Sequence, residues 1–114
     1  MLKDSLEMTD NDRKLILNEC LKNKETKLVI THGTDTMTAT ARLLAKHIQD
    51  KTIIFTGAMI PYKFGASDGL FNLGSALTAA QILPDGIYIS INGNIFNWNE
   101  VEKNREKGVF ELVS

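Results

Sequence analysis

The sequence has very little cysteine and no long hydrophobic run. Cys20 is the only cysteine among 114 residues, so an internal disulfide is excluded and no Cys/His cluster predicts a zinc site. No apolar stretch approaches the roughly 20 residues that span a bilayer. The charged N-terminal stretch MLKDSLEMTDNDRK also lacks the apolar core of a signal peptide. We therefore expect a cytoplasmic protein.

The chain also has almost no net charge. Its 13 Lys and Arg residues nearly balance its 14 Asp and Glu residues, which gives a net charge of −1. Nucleic acid and acidic membrane surfaces are therefore not expected partners. The hydrophobic content of 43% and the charged content of 24% are typical of a globular protein. The length predicts a single domain, residues 1–114.

The hydrophobic pattern predicts alternating helices and strands. A first helix in TDNDRKLILNECLKNK has Thr9 or Asp10 as its cap, and Cys20 lies on its apolar face, which predicts a core thiol rather than a reactive one. The other residues of that face are Leu15, Leu17 and Leu21. A second helix follows HGTDT, and a third, LFNLGSALTAAQIL, ends before Pro84-Asp85-Gly86. The apolar face of the second helix consists of Met37, Ala41, Leu44 and Ile48.

Three short, continuously apolar segments separate these helices: residues 28–31, 52–57 and 87–91. Strands of this kind, alternating with helices, indicate a parallel sheet that is buried on both faces. We therefore predict an α/β fold with a three-layer parallel sheet, flavodoxin- or Rossmann-like. The polar tail predicts a small hairpin, a short helical turn and a strand in VFELV.

The polar stretch HGTDT follows the first strand at the sheet edge where parallel folds bind ligands. One interpretation is helix capping by Thr34, Asp35 or Thr36. The other is a ligand site in which Thr34 acts with a base and Asp35 binds an ammonium group. His32 follows a buried strand and is predicted to be a satisfied, partly buried side chain. The sequence has no GxxxxGK[ST], GxGxxG or GxSxG motif, so phosphate-loop and serine-hydrolase sites are not predicted.

These residues resemble the bacterial-type L-asparaginases, the asparaginase/glutaminase family. ITHGTDTM is similar to the second of that family's two threonine signatures. FTGAMIP is similar to its GAM-R-P stretch, SDGLFNL to its ADGPFNL-type segment, and SLEMTD to its S-Q-D-M-N-D turn. ISINGNIFNWNEVEK is similar to a strand and hairpin that lead to a functional lysine. The similarity runs through nearly the whole chain in the family's order.

The resemblance implies roles for individual residues. Thr34 matches a catalytic threonine, Lys103 the lysine that hydrogen-bonds to it, and Asp35 the aspartate that binds the substrate's amino group. From the charged run EVEKNREK alone, Lys103 would instead be predicted to be an exposed lysine. Ala58 matches a residue whose carbonyl faces the substrate amide, and Ser5 a serine that holds the α-carboxylate. Gly33, Ser5, Asp35 and Ala58 are thus the predicted substrate-binding residues, and no metal or organic cofactor is predicted.

The sequence also departs from the family pattern. No TGGT-like run occurs, although the family's other catalytic threonine lies in such a signature. Leu6 stands where the family has a substrate-binding glutamine, and Ile60 where it usually has arginine. The resemblance therefore implies a truncated portion of the N-terminal domain carrying half of an amidohydrolase site. Such a chain would hydrolyse asparagine to aspartate and ammonia weakly or not at all by itself.

Two alternatives stay open at this point: a non-catalytic module that binds a small amino acid, and a structural or interaction module. In this family the strand that carries the TGGT-like signature is expected at the centre of the sheet, so its loss would leave an unpaired edge. The expected partners are accordingly asparagine or aspartate, together with a second copy of the chain or a complementing fragment. A rearranged sheet that uses VFELV is the other way to cover that edge.

Overall fold

The computed structural model describes residues 8–59, 68–104 and 106–113. No helix in these ranges is long and apolar enough to cross a membrane. The elements are α1 (Asp10–Lys22), β1 (Lys27–Thr31), α2 (Met37–His47), β2 (Thr52–Thr56), α3 (Gly69–Ile82), β3 (Gly86–Ile91), β4 (Asn94–Asn97), β5 (Val101–Asn104) and β6 (Val109–Leu112).

Helix α1 begins as predicted, but its buried face is different. The Thr9 hydroxyl accepts a hydrogen bond from the Asp12 N–H at 3.2 Å, and the Asp12 carboxylate accepts one from the Thr9 N–H at 2.9 Å. Leu17 and Cys20 are buried, as expected. The prediction that Leu15 and Leu21 belong to the same face is wrong, since they are 55% and 51% exposed. At 100° per residue, Leu15 lies about 140° around the helix from Cys20.

The main sheet is mixed rather than purely parallel. Its strand order is β1-β2-β3-β4, in which β1, β2 and β3 are parallel and β4 is antiparallel to β3. Asn92 and Gly93 join β3 to β4 with φ angles of 54° and 80°. Two consecutive positive φ angles are typical of the type I′ turn, which Asn-Gly favours. This pair forms the predicted hairpin and reverses the chain where a fully parallel sheet would need a crossover.

Helices cover both faces of the sheet, which confirms the three-layer prediction. Ile53 and Phe55 of β2 pack with α1 and α2, whereas Ile54 packs with α3. Side chains alternate between the two faces of a strand, so these neighbours in sequence belong to opposite layers. The predicted apolar face of α2 is confirmed as well, because all four of its residues are buried: Met37, Ala41, Leu44 and Ile48.

The two crossover helices lie on opposite faces although both connections advance in one direction across the sheet. Helix α2 joins β1 to β2, and α3 joins β2 to β3. Two right-handed crossovers that advance in the same direction would place both helices on one face. One of the two connections is therefore left-handed, against the strong general preference for right-handed crossovers. A simple Rossmann-like arrangement does not predict this exchange of faces.

The C-terminal strands form a separate ribbon. β6 confirms the strand predicted in VFELV, and it pairs antiparallel with β5, not with the main sheet. The segment Val101–Asn104 is a strand, in the stretch where a short helical turn was expected. Within the part of the chain that the structure describes, β1 is an edge strand, and its apolar residues Leu28, Val29 and Ile30 are only partly buried.

Candidate functional site

The polar connections of the parallel strands meet at one edge of the sheet. The stretch 32–36 follows β1, the stretch that begins at Gly57 follows β2, and Asn92-Gly93 follows β3. Pairing continues past the strand end, since the His32 N–H donates to the Thr56 carbonyl at 2.9 Å. The carboxyl ends of three adjacent parallel strands thus bring these connections together.

Lys103 joins this edge from the ribbon. Its Nζ lies 2.6 Å from Thr34 Oγ1 and 2.8 Å from Asp35 Oδ1. The Lys103 side chain is 13% exposed, so the interpretation from its charged neighbours alone, an exposed lysine, is wrong. Thr34 is buried, and the Asp35 side chain is 28% exposed. A hydroxyl, an amine and a carboxylate therefore converge, with the carboxylate the most accessible of the three.

Capping does not account for this arrangement. Thr36 is the N-cap residue of α2, and its side chain makes no capping hydrogen bond. Thr34 and Asp35 instead contact Lys103, which is remote in sequence. The Thr34 and Asp35 side chains are therefore held by a tertiary contact with Lys103.

His32 holds the same stretch from the other side. Its Nδ1 lies 2.6 Å from the Gly33 carbonyl oxygen, and its Nε2 lies 2.8 Å from Thr40 Oγ1. A carbonyl only accepts, so Nδ1 carries the proton and Nε2 accepts from the Thr40 hydroxyl. Burial lowers the pKa of His32, which favours this neutral form. The prediction of a satisfied histidine is confirmed, and Gly33 is placed with its carbonyl bound to that ring.

Gly57 allows the connection after β2 to pack against HGTDT. A Cβ atom added at Gly57 would lie 2.3 Å from the His32 carbonyl oxygen and 3.4 Å from Thr34 Cγ2. The first distance is shorter than a real side chain tolerates, so glycine is required by close backbone approach. The sequence pattern placed Gly57 at the end of the second predicted strand and in FTGAMIP and predicted no role for it at the site; the strand itself ends at Thr56.

Two further residues escaped prediction. Asn72, which is fully buried, donates to the Gly57 carbonyl at 2.8 Å and to Asp68 Oδ2 at 2.8 Å. Asp68 Oδ2 also accepts from the Met59 N–H at 3.1 Å. Both residues stand in SDGLFNL, where an acid and an amide four positions apart at a helix start are the available signal.

The other predicted substrate-binding residues are Ala58 and Ser5. Ala58 is partly buried and lies between Gly57 and Met59 at the same edge. Ser5, Leu6 and Ile60 lie outside the described residues. In the described ranges no group of three His, Cys, Asp or Glu side chains is arranged to hold a metal ion.

An open depression of about 590 Å³ lies beside the lysine. It is lined by Glu102, Lys103, Asn104, Glu111, Leu112 and Val113. Solvent therefore reaches the ribbon next to Lys103, although the Lys103 side chain itself is mostly covered.

Comparisons with known proteins point to a single family. Residues 1–112 match the family model "Asparaginase, N-terminal". The chain is 34% identical to L-asparaginase 2 of Escherichia coli over 96% of this chain and 33% of the relative. Superposition on the thermostable L-asparaginase from Thermococcus kodakarensis gives a TM-score of 0.87 at 28% identity, covering 99% of this chain and 36% of that one.

A second solved structure gives the same result. L-asparaginase I from Vibrio cholerae superposes with a TM-score of 0.85 at 33% identity, over 97% of this chain and 36% of that one. The chain spans about a third of the length of the relatives it matches. With a family model that covers nearly every residue, the chain belongs to the asparaginase family, of which it matches the N-terminal region.

Proposed function

We propose that Thr34, Asp35 and Lys103 form half of an amidohydrolase site that acts on L-asparagine. The observation that carries this proposal is the pair of contacts from Lys103 Nζ, 2.6 Å to Thr34 Oγ1 and 2.8 Å to Asp35 Oδ1. A threonine hydroxyl is a weak nucleophile until a neighbouring base takes its proton, and a neutral lysine amine is such a base. We call these three residues the half-site.

The proposed chemistry divides the work among the three side chains. Asp35 binds the amino group of asparagine as an ion pair. The proton of Thr34 Oγ1 passes to Lys103 Nζ, and the threonine oxygen attacks the side-chain amide carbonyl. Nitrogen leaves as ammonia with a proton from Lys103. Water then cleaves the ester, which yields aspartate and restores the Thr34 hydroxyl.

Hydrolysis by this chain alone is proposed to be slow at most. Catalytic groups that act as a unit lose most of their rate when one member is removed. The 114 residues contain no TGGT-like run, in which the family resemblance places a second threonine. The chain also spans about a third of its relatives. The same observations support the second candidate, a module that binds aspartate or asparagine through Asp35 without turnover.

Ammonia release from asparagine tests the catalytic proposal. We expect a slow rate in the unaltered chain that is lost in both Thr34→Ala and Lys103→Ala. Lys107→Ala is the matched control, because this lysine is on the same ribbon and its side chain is 69% exposed. Equal rates in Lys103→Ala and Lys107→Ala would refute the role of Lys103. If the unaltered chain releases no ammonia, catalysis by this chain is excluded and the binding module remains as the candidate function.

The binding alternative has its own measurement. A ligand that prefers the folded state raises the melting temperature. We expect millimolar aspartate to do so for the unaltered chain and not for Asp35→Ala. Equal melting curves with and without aspartate would eliminate the amino-acid site in this chain.

We further propose that the partly exposed β1 edge is covered by a second copy or a complementing fragment. Support comes from the partial exposure of Leu28, Val29 and Ile30 on a strand that lies at the sheet edge within the described residues. Light scattering of the purified chain checks the assembly, and a strictly monomeric mass would contradict a homo-oligomer.

We also propose a cytoplasmic location, which fits a single cysteine, Cys20, that is free.

A further inference from the structure

Ala58 lies between two peptide groups that are both held by side chains of the next helix. The Gly57 carbonyl, on its N-terminal side, accepts from Asn72 Nδ2 at 2.8 Å. The Met59 N–H, on its C-terminal side, donates to Asp68 Oδ2 at 3.1 Å. The backbone at Ala58 is therefore fixed by contacts with Asp68 and Asn72, which we call the Asp68–Asn72 pair.

These bonds determine where the Ala58 carbonyl points. In a trans peptide the C=O and the following N–H point in opposite directions. Because the Met59 N–H points at Asp68, the Ala58 carbonyl oxygen points away from Asp68. By the same geometry the Ala58 N–H points away from Asn72. Rotating either peptide would cost a hydrogen bond to a partly or fully buried partner.

The pair itself is tightly connected. Asn72 Nδ2 donates to Asp68 Oδ2 at 2.8 Å, and Asn72 Oδ1 accepts from the Asn92 N–H at 2.9 Å. Asn92 is the first of the two positive-φ residues in the turn between β3 and β4. One fully buried amide thus joins the connection after β2, the start of α3 and the turn after β3.

Ordinary helix capping does not explain Asp68. It is the N-cap residue of α3, yet its side chain makes no capping hydrogen bond to that helix. Its carboxylate instead accepts from Met59 and Asn72. Asparagine suits position 72 because its amide supplies two N–H donors and an acceptor on one short side chain.

The connection held by the pair also packs against the stretch that carries Thr34. Gly57 lies so close to His32 that an added Cβ would be 2.3 Å from the His32 carbonyl oxygen, and that Cβ would be at van der Waals distance, 3.4 Å, from Thr34 Cγ2. A shift of the Gly57 peptide would therefore displace the backbone next to Thr34. The bond from Asn72 to the Gly57 carbonyl opposes that shift.

We propose that the Asp68–Asn72 pair is a positioning device that fixes the direction of the Ala58 carbonyl at the sheet edge that holds the half-site and steadies Thr34 through the packing of Gly57 against HGTDT. The proposal rests on the proposed function, in that the ligand is the aspartate or asparagine bound at the half-site. The two residues act through the backbone and do not themselves touch the ligand.

Amide hydrogen exchange tests the backbone part of the proposal without any ligand. Asp68→Ala removes the acceptor of the Met59 N–H, so exchange at Met59 should become about tenfold faster or more. Asp68→Asn keeps an acceptor oxygen and should retain most of the protection. Thr52→Val is the matched control, since it removes a buried hydroxyl at the opposite end of β2. Unchanged exchange at Met59 in Asp68→Ala would overturn the proposal.

Aspartate affinity tests the functional part. We expect the dissociation constant, measured by NMR titration, to rise about tenfold in Asp68→Ala and in Asn72→Asp. Asn72→Asp keeps the shape but loses both donors and sets two carboxylates against each other. Asp68→Asn should bind within about threefold of the unaltered chain, which separates the acceptor role from loss of charge.

The control distinguishes positioning from general stability. If Thr52→Val weakens aspartate binding as much as Asp68→Ala does, the pair has only a structural role and the proposal is wrong. If Asn72→Asp does not fold, the Asp68 variants still decide. If the unaltered chain binds no aspartate, the proposed function fails, and the exchange rates at Met59 alone then decide whether the pair holds the Ala58 backbone.

Discussion

Lys103 Nζ lies 2.6 Å from Thr34 Oγ1, although the two residues are 69 positions apart in the sequence. The contact crosses from the strand β5 to the polar stretch after β1. Both side chains are mostly buried, so water competes weakly for these groups. The bond is therefore a stabilising tertiary contact as well as the proposed path of the proton.

The interaction between Thr34 and Lys103 should be measurable as a coupling free energy. In a double-mutant cycle with Thr34→Val and Lys103→Met, we expect a coupling of about 1 kcal/mol in the free energy of unfolding, measured in urea. The exposed ion pair Lys107–Glu111, on the same ribbon, is the control and should show coupling near zero. Additive effects of Thr34→Val and Lys103→Met would contradict the contact.

Much of the fold could be predicted because its signals are local. The face of α2 follows helical periodicity, and the continuously apolar strands indicate two covered faces. The exposed Leu15 and Leu21 were misassigned because an apolar residue in a short helix fits more than one stripe. The hand of each crossover is a property of the whole chain path, and no local pattern encodes it.

In the candidate site, too, the local features could be predicted and the long-range contacts could not. The HGTDT stretch stands out by composition, whereas its contact with Lys103 depends on how the ribbon folds back. The charged neighbours of Lys103 predict a surface residue, and only the family resemblance predicted a hydrogen bond from Lys103 to Thr34. Asn72 was missed because an aspartate and an asparagine four positions apart at a helix start indicate at most a local contact, and they give no sign of the Gly57 and Asn92 backbone groups that Asn72 binds.

The Cys20 thiol should be slow to react in the folded chain. It is buried against the sheet, and burial raises its pKa above the usual value, so little thiolate forms at neutral pH. We expect a disulfide reagent to modify it about a hundredfold or more slowly than an exposed thiol on the same helix. The exposed comparison is the double variant Cys20→Ser with Asn18→Cys. Similar rates for the two thiols would show that α1 does not cover Cys20.

Folding stability should fall as the pH is lowered through the range in which His32 titrates. Burial lowers the pKa of His32 in the folded chain, so the unfolded chain binds more protons in the interval below pH 6.5. The contribution is fully present above the unfolded-state pKa and is lost as the pH falls through the folded-state value. Urea unfolding at about pH 7.5 and about pH 5.5 brackets this range.

Variants assign that pH dependence to one ring. His32→Gln should show a smaller loss of stability between the two pH values than the unaltered chain. His47→Gln should behave like the unaltered chain, because His47 is exposed near the end of α2. The buried ring is not responsible if both variants lose the same stability on acidification.

Gly57→Ala should be the most damaging single-methyl addition at the site. The new Cβ would lie 2.3 Å from the His32 carbonyl oxygen. The clashing oxygen belongs to the backbone, so no flexible side chain can move aside to relieve the clash. We expect a loss of about 1–3 kcal/mol in the free energy of unfolding. Gly74→Ala is the control, since a Cβ there meets nothing within 4 Å and glycine within a helix is unfavourable. Gly74→Ala should therefore stabilise the chain by about 0.5–1 kcal/mol. Because relief of the clash with the His32 carbonyl would shift the backbone two residues before Thr34, aspartate binding should weaken only in Gly57→Ala. Equal stability of the two variants in urea would mean that the stretch after β2 does not pack against HGTDT.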